Sequence, residues 1–277
     1  MSFRINSGIT AMNANIHSNL NNLGVNKSLA SLASGSALNS AAYDASGLGI
    51  ANQFSAQVSG LGRAIMNTND TIGLIQVADG AMQEYGNILE DVQRLTLQAS
   101  NGTLNDSDRA YIQKEIDGLL ETADYIAKST SFNDIKLLDG TGGSTANGTF
   151  ISQIGADAGD SHTLTIDDAQ VSALIPGGID VTTQAAAQSS ISSTDTAIDS
   201  VNNILANLGA SQNALSANVD NISVSQINAA AAESQIRDID FAAESANFSK
   251  LNILSQTGIF ASAQANAAQA NVASLFN

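Results

Sequence analysis

Apolar residues in this chain recur at alternating spacings of three and four, most persistently toward the C-terminal end. There the series reads Leu251, Leu254, Gly258, Ala261, Ala265, Ala268, Val272, Leu275. An unbroken alternation of this kind is a heptad seam and predicts a helix packed along another helix. Most of its knobs are Ala, while Phe241, Phe248, Ile259, Phe260 and Phe276 lie outside the seam. A helix apolar on more than one side requires more than one neighbour. Residues 236–277 are therefore expected to be completed by other copies of the chain.

The N-terminal segment has the same character. Ile5, Ile9, Met12, Ile16, Leu23, Ala30 and Ala33 form a seam within residues 1–35, and Leu20, Leu29 and Leu32 add a second strip. The opposite face is mostly Asn and Ser, so the helix is marginal alone and is expected to order only when packed. Residues 35–48, with Gly35 and Gly47, read as a connector. A long helix is predicted over 49–100. One of its seams runs from Phe54 through Leu61, Thr68 and Ile75 to Asp79 and Met82, and another from Leu74 through Tyr85 and Val92 to Leu95 and Ala99. Two seams on one helix imply a bundle rather than a two-stranded coil.

Asn101-Gly102-Thr103 stops that helix. Gly102 suits a C-terminal cap, and Asp106 or Ser107 suits the next N-terminus. A helix over 107–129 follows, then a turn and short strand within 131–140. Residues 141–190 lose the helical period. Glycine is dense, Pro176 precedes Gly177-Gly178, and 150–154 and 162–166 alternate as candidate strands. Helix returns over 191–235, with polar Gln212, Gln226 and Glu233 in its seam, and the phase shifts near Arg237–Asp240. The predicted fold is mainly α: a long-helix hairpin or coiled-coil bundle with a small β-containing insert. Both termini are expected at one end and the insert at the other.

Composition narrows the function classes. Aromatics make up 4% of the 277 residues and Trp is absent, which disfavours a thick globular core. The 43% apolar content with sustained periodicity argues against disorder. A net charge of −16 makes nucleic acid or an anionic membrane a poor partner. Cys is absent, so disulfides and thiolate metal sites are excluded. No apolar run approaches the ~20 residues that span a bilayer. The N-terminal sequence lacks the apolar region of a Sec signal peptide. The chain is thus expected to be cytoplasmic or exported without a cleaved signal.

No polar constellation has catalytic spacing. His17 and His162 are far apart and there is no HExxH. Asp157, Asp160, Asp167 and Asp168 lack EF-hand spacing and read as solvated turn acids. No phosphate-binding glycine loop or nucleophile elbow occurs. No catalytic residue, cofactor or metal is expected. Thr68, Asp79, Gln212 and Gln226 within the seams read as register-setting polar positions. N-x-S/T sequons arise by chance in so Asn-rich a chain. Hydroxyls of the 141–190 insert are the more exposed candidates for modification.

Short strings then appear in a telling order. They include Phe3-Arg4-Ile5-Asn6, Leu32-Ala33-Ser34-Gly35, Asp44-Ala45-Ser46-Gly47, Asn69-Asp70-Thr71-Ile72 and Gln76-Val77-Ala78-Asp79-Gly80-Ala81-Met82. Thr130-Ser131-Phe132-Asn133, Ala231 to Asp240, Ala263-Gln264-Ala265-Asn266 and Leu275 follow. Each string is weak, but their order over about residues 1–140 and 190–277 resembles bacterial flagellin. Met1–Asn6 is similar to the Campylobacter and Helicobacter group.

The resemblance implies a self-assembling filament subunit. Residues 1–48 and 236–277 would form the inner coiled-coil core, 49–140 and 191–235 the next helical layer, and 141–190 the reduced variable region. Its self-assembly residues would be Ile5, Ile9, Met12, Ile16, Leu23, Leu251, Leu254, Ala261, Ala265, Ala268, Val272 and Leu275, with the N-terminal seam and neighbouring tails as partners. It also implies contact with hook-junction and cap proteins and an export chaperone, type III export, and an extracellular, thin, smooth filament. Two departures stand out. Ala37 and Ala42 replace the family's usual basic residues, with Tyr43 nearby. Flagellins detected by Toll-like receptor 5 carry an Arg and a Glu near a Leu. Here Leu95 matches, but Asp91 and Arg94 exchange the charges, which implies weak recognition. A hook–filament junction protein and a cytoplasmic coiled-coil binding module are the alternatives. Self-polymerisation on seeding would separate the filament subunit from the first, and fully ordered termini in a stable monomer would favour the second.

Overall fold

The computed structural model describes residues 9–143 and 146–274. Its elements are α1 (Ile9–Ser34), α2 (Ala45–Ala99), α3 (Asp106–Ser129), β1 (Ser131–Phe132), β2 (Ile135–Lys136), β3 (Thr149–Gln153), β4 (Ser161–Thr165), α4 (Val171–Leu174), α5 (Gln184–Arg237) and α6 (Phe241–Ser274). The chain divides into two compact units, one of Met1–Ala56 with Asn228–Asn277 and one of Gln57–Ile227. Among the described residues no helix is long and apolar enough to cross a membrane.

The first unit is built on α1 and α6. Gly35 ends α1 with φ +69°, a conformation that L side chains rarely adopt. The chain then forms a short antiparallel bridge, Ser36 to Asp238. Ala37 N donates to Arg237 O at 2.7 Å and Ile239 N to Gly35 O at 3.2 Å. The predicted connector 35–48 is shorter than expected, because α2 begins at Ala45 rather than 49. Asp44 explains the difference. Its Oδ1 accepts from Gly47 N at 2.9 Å, Ser46 Oγ at 2.8 Å and Ser46 N at 3.0 Å, closing the N-terminus of α2. The Gly47 amide, with the Ser46 hydroxyl, holds the Asp44 carboxyl below its ordinary range. A Cβ on Gly47 would lie 2.4 Å from Asp44 Oδ2, so this glycine makes room for the cap instead of breaking the helix. Lys27 Nζ sits 4.1 Å over the Tyr43 ring and ties the connector to α1.

The second unit holds the main apolar core. Here α2 and α5 run antiparallel. Gln93 donates to Asp195, Gly86 faces Val201 Cγ1, and Gln226 Nε2 reaches Val58 O at 3.2 Å. Gln226 thus spans the two helices, as a register-setting residue does. Thr68 instead returns its hydroxyl to Ala64 O of its own helix at 2.7 Å, and Asp79 accepts from Gln83. Ile75, Met82, Leu89 and Val92 of α2 meet Ile116 and Ala123 of α3 and Val201, Leu208 and Leu215 of α5 in one cluster.

The caps at the α2–α3 corner differ from those predicted. Asn105 is the N-cap of α3: its side chain accepts from Asp108 N, and Asp108 returns a bond to the Asn105 amide. Gly102 is not among the glycines with positive φ. The carbonyls at the end of α2 are met instead by Arg109. It is buried, with Nε 2.9 Å from Ala99 O and Nη2 2.9 Å from Asn101 O, while Nη1 lies 3.0 Å from Asp106 Oδ1.

β1 and β2 pair through an Asn133-Asp134 turn with φ +49° and +63°, the left-handed pair that a tight two-residue hairpin demands. β3 and β4 pair antiparallel with Ile151 opposite Thr163. This ribbon does not sit at the far end of the helical hairpin as expected. It lies back along α2, where Thr71 Oγ1 bonds Ser152 Oγ at 2.7 Å and Asn67 Nδ2 bonds Gln153 O at 3.2 Å. Phe150, Leu164 and Ile166 are buried in the α2 core. A two-stranded ribbon is marginal alone and must cover its apolar face. α5 begins at Gln184 rather than 191, with Thr183 Oγ1 accepting from Ala186 N. The run Gln184–Gln188 has helix propensity but no apolar period.

Tyr85 is fully buried and its hydroxyl has no hydrogen-bond partner among the described residues. Burial, reinforced by Asp124 and Asp168, pushes its pKa above the ordinary 10.0. A raised folded pKa contributes stability that is fully present below the unfolded value and lost as pH climbs toward the folded one. Stability should therefore fall above about pH 10. Tyr85→Phe should remove that alkaline loss and raise stability at neutral pH by about 1 kcal/mol, since an unpaired buried hydroxyl is deleted. Urea unfolding at pH 7 and pH 10.5 checks both, and a destabilised variant would refute the assignment.

Candidate assembly surface

α1 and α6 lie antiparallel, and small and polar residues make their contact. Ala11, Ser28 and Ser31 are buried on α1, with Ala14, Ser18, Asn21, Gly24 and Val25 half-buried between them. On α6 the half-buried positions include Phe248, Leu251, Ser255, Gly258, Ser262 and Ala265. Ser255 Oγ bonds Asn22 Oδ1 at 2.6 Å, and Ser262 Oγ bonds Asn15 Oδ1 at 3.3 Å, one heptad apart on each helix. Ser28 Oγ donates to Glu244 O at 3.4 Å. A Cβ on Gly24 would approach both Leu251 methyls to 3.2 Å, and one on Gly258 would meet Ser18 Cα at 3.5 Å. These two glycines let the backbones come close.

The predicted N-terminal seam is elsewhere. Ile9, Met12, Ile16 and Leu23 are each more than half exposed, as is Leu20. The α6-facing positions Ala11, Ala14, Ser18 and Val25 each follow a seam residue by two, about 200° around a helix. The apolar stripe of α1 therefore faces away from α6 in the single chain. On α6, Leu251 and Ala265 lie in the contact, while Leu254 and Ala261 are exposed beside it. Phe241, Ile253, Ile259 and Phe260 are exposed too. Ile5 and Leu275 fall outside the described residues. Ala268 and Val272 lie within α6, but their side chains are outside the description.

On α2, Asp91 and Arg94 are exposed and paired at 2.9 Å. Leu95 is 4% exposed and belongs to the core, so only the charged pair of that predicted segment reaches the surface.

Sequence comparison decides the family. The bacterial flagellin N-terminal helical region matches residues 5–142 and the C-terminal helical region matches 191–276. The chain belongs to the bacterial flagellins. It is 37% identical to flagellin of Halalkalibacterium halodurans over 95% of both chains. It is 38% identical to Bacillus subtilis flagellin and 35% identical to the flagellar filament 33 kDa core protein of Treponema phagedenis, each over 98% of this chain and 99% of the relative. Bacillus cereus flagellin, solved by crystallography, is similar over 57% of this chain and 88% of its own, with a TM-score of 0.51 and 32% identity. A putative flagellar hook-associated protein of Vibrio parahaemolyticus shares the fold at 13% identity, with a TM-score of 0.54 over 71% of this chain and 98% of its own. This flagellin is a structural subunit of the self-polymerising flagellar filament, not an enzyme.

Sequence reasoning missed the small-residue face of α1. Its signal was present as Ala11, Ser18, Asn21, Val25 and Ser28, a heptad of small and polar residues that a search for apolar knobs passes over.

Proposed function

We propose that the terminal helices drive polymerisation by coupled folding and association. The observation that carries this is the apolar stripe of α1, exposed on the side opposite its contact with α6. Covering one such Ile or Leu stabilises by about 1.5–3 kcal/mol, and the stripe carries several. Ile5, Ile9, Met12, Ile16 and Leu23 then meet Leu254, Ala261, Ala268, Val272 and Leu275 of neighbouring copies, with Leu251 and Ala265 shared with the contact inside each chain. Head-to-tail, non-closing contacts build a helical tube. Residues 1–48 and 236–277 form its inner core, 49–140 and 191–235 the next layer, and 141–190 a short variable region on a thin filament. Seeded elongation tests this with Ile16→Asp and Leu23→Asp combined, which should not elongate.

The filament is extracellular, and the subunit travels through the flagellar export channel with a dedicated chaperone. It meets hook-junction and cap proteins at the filament ends. Nucleic acid and membrane insertion have no part in it. Toll-like receptor 5 recognises it weakly, because Asp91 and Arg94 exchange the family's charges and satisfy each other. A receptor reporter assay should show potency at least about tenfold below that of an enterobacterial flagellin, roughly the cost of one lost charge contact; equal potency would refute it.

A further inference from the structure

The apolar stripe of α1 contains one chemically reactive member. The chain has four methionines, of which Met1 lies outside the described residues. Met82 is fully buried in the second unit. Met66 is exposed on α2, and its sulfur accepts from Arg63 Nη1 at 3.7 Å. Met12 is 61% exposed and stands between Ile9 and Ile16, both also exposed. Its thioether is thus open to solvent in the free subunit at the centre of an apolar surface.

We propose that Met12 is a redox-sensitive modification site that gates assembly. A peroxide oxidises it in the free subunit and blocks addition to the filament, whereas association shields it. The inference rests on the assembly surface proposed above. The sulfur lone pair attacks one peroxide oxygen, an S–O bond forms and the O–O bond breaks. Proton transfer then releases water from hydrogen peroxide. Sulfur is oxidised by two electrons and the peroxide is reduced by two. The product sulfoxide is polar and chiral where an apolar, flexible side chain stood. The residues proposed to cover it on a neighbouring copy, Leu254, Ala261 and Val272, offer no side-chain donor to its oxygen, so burial there leaves an unpaired acceptor. The neighbouring stripe residues Ile9, Ile16, Leu20 and Leu23 are inert to the same reagent, so the switch is confined to one atom.

The test uses the full chain, wild type and Met12→Leu, treated with hydrogen peroxide either as subunits or as filaments. After quenching, seeded elongation is followed by sedimentation, and sulfoxide is located by peptide mass mapping. Oxidised wild-type subunits should elongate about tenfold or more slowly, the scale of one unpaired buried polar group. Oxidised Met12→Leu subunits should elongate like untreated ones, although Met66 is still present. Methionine sulfoxide reductases, one for each epimer, should restore the wild type. Filaments should show far less sulfoxide at Met12 than subunits do. Normal elongation of subunits oxidised at Met12 would overturn the switch while leaving the assembly surface standing. Inhibition that persists in Met12→Leu would overturn it as well. Equal oxidation of Met12 in filaments and subunits would remove the surface assignment itself.

Discussion

A variant carrying Ile16→Asp and Leu23→Asp will add no subunits to preformed seeds, while its subunit fold is unchanged. Both side chains are exposed in the single chain, Ile16 at 52% and Leu23 at 65%, so a carboxylate there meets water and strains nothing. They lie one heptad apart on the face of α1 that turns away from α6, and the Asn15–Ser262 and Asn22–Ser255 bonds lie off that face. In the proposed filament contact the same positions are covered. Each carboxylate must then be desolvated without a partner, an effective cost of several kcal/mol per ion. The loss of apolar burial adds about 1.5–3 kcal/mol per residue. Together these slow elongation by a factor of at least about a thousand. Sedimentation and negative-stain microscopy after seeding measure this, with circular dichroism as the control on the subunit. Elongation at the wild-type rate would mean that another surface joins the subunits.

Arg109→Met will destabilise the second unit by about 3 kcal/mol, as expected when buried carbonyls lose a charged donor. Arg109 is 4% exposed, and its guanidinium donates to Ala99 O at the end of α2 and to Asn101 O in the following turn, which also accepts from Leu104 N. Methionine fills much of the same volume but donates nothing. The bond to Asp106 contributes less, because that carboxylate is 82% exposed and screened by water. The midpoint of urea unfolding should fall with little change in slope, and Arg109→Lys should recover only part of the loss, since an ammonium cannot span the forked geometry. An unchanged midpoint in Arg109→Met would show that water replaces the guanidinium at no cost.

The two variants mark different degrees of legibility. Arg109 carries no periodic signal. One basic residue in the first turn of a helix does not announce that its fork reaches back across the corner to the preceding helix. The Asp44–Gly47 cap is legible as a string, but in sequence it reads as a connector, because glycine usually ends helices. Here Gly47 sits inside the first turn, where a Cβ would strike the capping carboxylate. The β3–β4 strands were legible within a residue, since alternation needs only local sequence. Their docking along α2 was not, since Thr71 and Ser152 are ordinary polar residues until the fold brings them to 2.7 Å.

The long helices, the antiparallel plan, the small insert and the flagellin family were all determined by the amino-acid sequence alone, through heptad spacing and ordered short strings. So was the excess of apolar surface on the terminal helices, because Ile, Leu and Phe placed around more than one side require more than one neighbour. Only the tertiary structure decided which face of α1 meets α6. Hydropathy favours Ile9, Met12, Ile16 and Leu23, yet the contact falls on Ala11, Ser18, Ser28 and their neighbours. Close approach at Gly24 and Gly258 and paired Asn–Ser bonds depend on shape and donor geometry across two distant segments, which no periodicity encodes. That choice leaves the apolar stripe of α1 outward, where another subunit can take it.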